Sequence, residues 1–145
     1  MKKNTIQAIR YHDISCGHRV VGHESKCAYL HGHNYRFHFY VEPNNQLDSV
    51  GRVLDFSVIK STLCEWLENN YDHKMLIWIH DPLLPQLLAC SNESIVVVQF
   101  NPTAENIAIN FVEDIAPIIL QDSCTLTKLE IEETRKCSVI YKLKK

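Results

Sequence analysis

The chain has 145 residues, 46% of them hydrophobic, which is enough apolar material for one ordinary domain with a core of its own. Its formal charge of −2, from 15 Lys plus Arg against 17 Asp plus Glu, gives no overall attraction to nucleic acid or to an anionic membrane. An anionic small molecule must therefore be met by local charges.

The opening MKKNTIQAIRYHD carries two lysines with no apolar run behind them, and no stretch of about 18 apolar residues follows anywhere. A cytoplasmic protein without a membrane span is expected. The six cysteines, Cys16, Cys27, Cys64, Cys90, Cys124 and Cys137, are dispersed through a chain large enough to fold without staples. They are expected as thiols, most of them small core residues. No repeat, low-complexity tract or linker divides the sequence, so residues 1–145 are expected to form a single domain.

In chain order, residues from about Thr5 to His18 mix β-branched and aromatic side chains, and Ile14, Cys16 and His18 share one face if the strand runs that far. The loop RVVGHESKC follows. From His31 the alternation is clear: His31, His33, Tyr35, Phe37, Phe39 and Val41 fall on one face of a half-buried antiparallel strand. After the turn EPNNQLDSVG, Asp55 is placed to cap a helix with Ile59, Leu63, Trp66 and Leu67 on its inner stripe, ending near Asn69 and Asn70.

Between about Met75 and Phe100 two prolines and a polar turn obscure the pattern before the short apolar run IVVVQF. Thr103 then caps a second amphipathic helix with Glu105 in its first turn, Ile107, Ala108, Phe111, Val112 and Ile115 inward, and Pro117 ending or bending it. Two strands joined by the turn Thr134-Arg135-Lys136 close the chain, with Thr127, Leu129, Ile131 and Glu133 expected on one face. The expected class is α+β in the order ββααββ, a four-stranded antiparallel sheet with two helices on one side.

His31-Gly32-His33 sets two imidazoles on one strand face, about 6.5 to 7 Å apart along the backbone, from where both can converge on one ion. His18 supplies a third if its strand pairs antiparallel with theirs. Three neutral imidazoles with an open fourth position describe a catalytic zinc site. His12, His23, His38 and His80 have no comparable context, although His23, in the loop near the site, stands as a reserve candidate.

Cys27, four residues before His31, is inert filler by default, yet a thiol beside Zn²⁺ could serve as base, nucleophile or fourth ligand. Asp72 next to His73 could orient a proton relay, or be a solvated turn. Glu133 continues an apolar row, so its carboxylate needs either a hydrogen-bonding ligand or a salt bridge. Lys26, Arg19 and Arg36 are the cations nearest the expected metal in sequence.

Taken together, GHR around His18, CAYLHGHNY from Cys27 to Tyr35, GRVLDF from Gly51, DHK from Asp72, PTAEN from Pro102 and EET from Glu132 resemble the 6-pyruvoyltetrahydropterin and 6-carboxytetrahydropterin synthase family. The likeness runs almost end to end and is thin only across about Leu76 to Phe100. It implies a tunnelling fold, in which three subunits close a barrel and two trimers stack into a homohexamer. It further implies Zn²⁺ on His18, His31 and His33, Cys27 as the proton-abstracting thiolate, and Asp72 with His73 as its relay. Glu133 would anchor the pterin ring, with Thr103 and Glu105 near that pocket.

The three-residue gap Ala28-Tyr29-Leu30 between Cys27 and HGH resembles the bacterial 6-carboxytetrahydropterin synthases of the queuosine and 7-deazapurine pathway, which act on 7,8-dihydroneopterin triphosphate. Alternatives are 6-pyruvoyltetrahydropterin synthase activity, or a non-catalytic zinc-binding oligomer with Cys27 closing the site. Ile14 and Cys16 stand where an aromatic and an alanine are common, and Ala104 where animal enzymes have threonine.

Overall fold

The computed structural model describes residues 4–120 and 122–144. Strands β1 (Ala8–His18) and β2 (His31–Pro43) pair antiparallel over the full length of β1, with His18 opposite His31 and Cys16 opposite His33. Alternation along β2 sends Tyr35, Phe37, Phe39 and Val41 inward, where each is buried.

Helix α1 covers residues 56–70 and runs Phe56–Ile59, a π-helical turn at Lys60–Cys64, and Glu65–Asn70. Asp55 caps it by accepting from Ser57 N–H at 2.8 Å, and Ile59, Leu63 and Leu67 form its buried stripe. Strand β3 (Met75–Trp78), helix α2 (Leu84–Ser91) and strand β4 (Ile95–Val98) come next.

Helix α3, residues 104–119, starts under the Thr103 cap and passes through a second π-helical turn at Phe111–Ile115 before Ala116–Ile119. Pro117 thus does not end the helix. Its ring lacks an N–H and would clash with the carbonyl four residues back, and the widened turn before it relieves both demands. Strands β5 (Cys124–Glu132) and β6 (Ser138–Lys142) finish the chain.

The sheet has six strands in the order β4-β3-β1-β2-β5-β6, not the four expected. Four of them, β1, β2, β5 and β6, form the expected antiparallel set. The extra pair comes from the segment whose pattern was obscure: β3 and β4 are four residues each, run parallel, and are linked by α2. The order is therefore ββαβαβαββ, and the sheet is mixed.

A second correction concerns β5, where the register shifts between Tyr40 and Val41 because Thr127 is an extra residue against β2. Leu126 and Leu129 both point inward as a result, so Thr127 does not share the face of Leu129 and Ile131. One core lies between the sheet and helices α1 and α3, joined across the helices by Trp66 on Phe111, ring centroids 5.6 Å apart. All six cysteines are free, but only Cys16, Cys64 and Cys124 are buried; Cys90 and Cys137 are exposed.

Candidate metal centre and active site

Cross-strand pairing brings His18 and His31 face to face, and the period of two puts His33 beside them. One ligand atom from each of the three lies within 4.8 Å of the others. Among the described residues no thiol or carboxylate joins that cluster.

The tautomers follow from the backbone. His18 Nδ1 lies 2.6 Å from the Pro102 carbonyl and His31 Nδ1 lies 2.7 Å from the Tyr29 carbonyl, so each ring donates from Nδ1 and keeps a lone pair on Nε2. Those two Nε2 atoms are 3.0 Å apart. With neither carrying a proton, they face each other as two acceptors, an arrangement that calls for a cation between them.

His33 Nε2 is buried without a hydrogen-bond partner. Glu133 Oε1 approaches it to 3.5 Å, within ion-pair range but without hydrogen-bond geometry. Burial pushes the His18 imidazole down to about 4, against the lift from its bond to the Pro102 carbonyl, and the other two rings add to the depression. Burial also lowers His33, opposed by the Glu133 charge. Neutral rings with convergent lone pairs are the protonation state that a transition-metal ion needs.

The segment Asn101 to Asn106 builds the back of this site. Asn101 pairs both polar atoms of its amide with the Val21 backbone, at 3.0 and 2.9 Å, like a one-residue strand. Pro102 gives the carbonyl that orients His18, and Thr103 Oγ1 accepts from Asn106 N–H at 3.1 Å to start α3. Glu105 stands exposed in the first turn of that helix.

Beneath the histidines lies Tyr35, its ring edge-on to His33 at 5.4 Å and His18 at 5.9 Å. Its hydroxyl is buried and unpartnered. Burial raises the phenol, and the charges of Glu133, Cys16 and Cys27 raise it further. Cys27 itself sits in a short 3₁₀ turn, Lys26–Ala28, half-buried. Sequence reasoning passed over Tyr35 because it continues the apolar row as any core aromatic would.

Asp72 and His73 stand elsewhere. Asp72 Oδ1 accepts from Ser15 N–H at 2.9 Å, His73 N–H donates to Ser15 O at 2.6 Å, and Asp72 Oδ2 takes His73 Nδ1 at 2.8 Å. These bonds dock the pair along the free edge of β1. The His73 side chain is 80% exposed and borders a cleft over Gly17 and Gly32 that His31 and His33 also line. His73 also has φ 59°, a left-handed conformation that costs a β-carbon-bearing residue about 1 kcal/mol and persists only where the surroundings impose it.

Two of the nearby cations are already engaged. Arg36 forks onto Asp13 at 2.7 and 3.0 Å, and Arg19 holds Asp81 at 2.9 Å. His38 Nε2 is hydrogen-bonded to Glu132 at 2.6 Å, and His12 Nε2 lies 3.2 Å from Glu68, within ion-pair range but without hydrogen-bond geometry.

Residues 8–144 match the sequence profile of the 6-pyruvoyl tetrahydropterin synthase family. The chain belongs to that family. A Rickettsia typhi relative named 6-carboxy-5,6,7,8-tetrahydropterin synthase is 35% identical over 136 residues, covering 92% of this chain and 98% of the relative. Its Rickettsia felis counterpart, of the same name, is 34% identical over the same coverage.

Among solved structures, an uncharacterised Wolinella succinogenes protein superposes with a TM-score of 0.84 at 24% identity, over 98% of this chain and 100% of that one. The Caenorhabditis elegans 6-pyruvoyl tetrahydropterin synthase gives 0.68 at 22% identity, over 99% of each chain. At these identities the two structures speak for the fold, which this family member shares through its curled sheet and helices.

Proposed function

We propose that this chain is a zinc-dependent 6-carboxy-5,6,7,8-tetrahydropterin synthase that converts 7,8-dihydroneopterin triphosphate to 6-carboxytetrahydropterin, acetaldehyde and triphosphate, in queuosine formation. The observation that carries the reading is the convergence of His18, His31 and His33 with their Nε2 lone pairs free. The name shared by the relatives supplies the substrate class. Three convergent imidazoles with no fourth ligand atom among the described residues favour zinc in an open site.

Zinc held there would supply Lewis acidity to the side-chain hydroxyls of the substrate, making the neighbouring carbon-bound protons easier to remove. Cys27 takes such a proton. His73, oriented by Asp72, returns or relays protons. Glu133 holds the pterin ring through paired hydrogen bonds, a recognition that penalises rings lacking those donors, and Thr103 and Glu105 flank the ring at the start of α3.

Because Asp72 and His73 dock on Ser15 at the edge of β1 and lie outside the group of close ligand atoms of their own chain, the reading takes them to serve the metal centre of another copy. Assembly into a homohexamer of two trimers fits that need. Strand β3 covers β1 only at Gly17 and His18, and β6 pairs only with β5, so both β1 and β6 leave free edges for strand addition. Among the described residues no helix is long and apolar enough to cross a membrane, which fits a cytoplasmic enzyme.

The test is mass spectrometry of products from zinc-loaded protein and 7,8-dihydroneopterin triphosphate, with metal-free and Cys27→Ala controls. A 6-carboxytetrahydropterin signal with acetaldehyde, absent from both controls, supports the reading. A 6-pyruvoyl product moves the chain to the sister activity, and no product from folded, zinc-bound protein overturns it.

A further inference from the structure

We propose that Arg19 and Asp81 form a clamp that positions the Cys27 turn, Arg19 bridging the buried Asp81 carboxylate to the Ala28 carbonyl. The inference rests on the reading that Cys27 is the reacting thiol. Arg19 follows the ligand His18, yet its side chain turns toward the crossover between β3 and α2. Its Nε donates to Asp81 Oδ2 at 2.9 Å and Oδ1 at 3.2 Å, and its Nη1 donates to Ala28 O at 2.7 Å.

The Asp81 side chain has no solvent exposure, and Oδ1 also accepts from Leu83 N–H at 2.9 Å. A carboxylate this enclosed is costly to bury, and apolar residues of similar volume often do as well for stability alone. The ion pair gains a purpose from its third bond. The Lys26–Ala28 turn contains no fully buried residue, so little core packing holds it. It is tethered to the end of β1 by two successive carbonyls: Cys27 O accepts from Val20 N–H at 2.9 Å, and Ala28 O accepts from Arg19.

The single Nε–H is shared between both Asp81 oxygens, which leaves Nη1 to donate to a carbonyl beyond the carboxylate. Asp81 fixes the guanidinium, and the guanidinium fixes the carbonyl next to Cys27. Arg19 and Asp81 are accordingly positioning residues. The clamp also gives the β3-α2-β4 crossover, which contributes Asp81, a role at the site. It further removes Arg19 from the cations available to a triphosphate.

The test compares wild type, Arg19→Gln and Asp81→Asn by the rate at which iodoacetamide alkylates each cysteine, resolved by peptide mass spectrometry. The exposed Cys90 and Cys137 serve as internal references. The clamp predicts that Cys27 changes rate by about fivefold or more while Cys90 and Cys137 hold, zinc content is retained, and kcat falls about tenfold with KM within about twofold. Asp81→Asn keeps volume and one acceptor, so it serves where Arg19→Gln does not fold.

An unchanged Cys27 rate in a folded variant, or all three thiols shifting together, overturns the clamp in favour of a plain structural ion pair. Alkylation needs no substrate. A wild type that yields no product while Cys27 still responds selectively would sink the catalytic reading and leave the clamp standing.

Discussion

The Nε2 atoms of His18 and His31 meet at 3.0 Å with both Nδ1 atoms already committed to backbone carbonyls. Two lone pairs held that close repel, and only a proton or a metal ion makes the contact favourable. The Pro102 and Tyr29 carbonyls have therefore prepared the pair as ligands before any ion arrives.

Zinc titration of the metal-free chain should show about one ion bound per subunit, and His31→Ala should weaken retention on the order of a hundredfold or more. Isothermal titration with competition by a chelator measures both. Equal affinity in His31→Ala would place the ion elsewhere.

Acid should destabilise the metal-free chain in a defined window. His18 is pushed down to about 4 in the folded state from an ordinary 6.5, so on acidification the unfolded chain binds its proton first. The neutral ring's contribution is whole above about 6.5 and lost as pH falls toward 4, worth about 3 kcal/mol. His33 shifts in the same direction. Urea midpoints across that range should fall in wild type, and fall less in His18→Gln.

Cys27→Ala should keep its zinc and lose turnover by about a thousandfold or more. The thiol lies outside the cluster of mutually close ligand atoms, so its removal leaves the metal donors intact. Zinc content by atomic emission beside single-turnover rates decides this; a matching loss of metal would make Cys27 a ligand.

Tyr35→Phe should leave the metal-free protein as stable as wild type, or more stable by up to about 1 kcal/mol. Its hydroxyl is buried with no partner, so deletion removes a desolvated group and no hydrogen bond. A loss of more than about 1 kcal/mol in urea denaturation would mean that solution supplies a partner, such as a bound water.

His73→Gly should stabilise the fold by about 1 kcal/mol and abolish the relay. At φ 59° a glycine pays no steric penalty, while the imidazole disappears. Thermal unfolding and turnover should then move in opposite directions, and a fall in both would show that the ring also supports the structure.

Much of this was legible because β-strand alternation is a local signal. The row from His31 to Val41 reads directly as an inward face, and the caps Asp55 and Thr103 are short-range chemistry. Where non-local pairing decides, the signal disappears. Met75–Trp78 and Ile95–Val98 are four-residue strands whose partners lie far along the chain, and the Thr127 bulge has no mark in its own sequence.

The site divides along the same line. His18, His31 and His33 could be grouped from one assumed hairpin, and the register bears that grouping out. Asp81 could not be found, because Arg19 and Asp81 are 62 residues apart and nothing in either neighbourhood announces the other. Tyr35 hid within an ordinary apolar run.

Gly17 and Gly32 sit directly opposite each other, next to the paired histidines, and both line the cleft that His73 borders. With no side chain projecting outward from either residue, the partition there is a single layer of peptide, and the Met75 side chain packs over Gly17. A methyl group at Gly32 would stand 3.3 Å from the Cys16 carbonyl, so a change made on the outer side would be transmitted to the strand that carries His18. Drift in sequence on one side of that thin wall is constrained by what the other side must hold still.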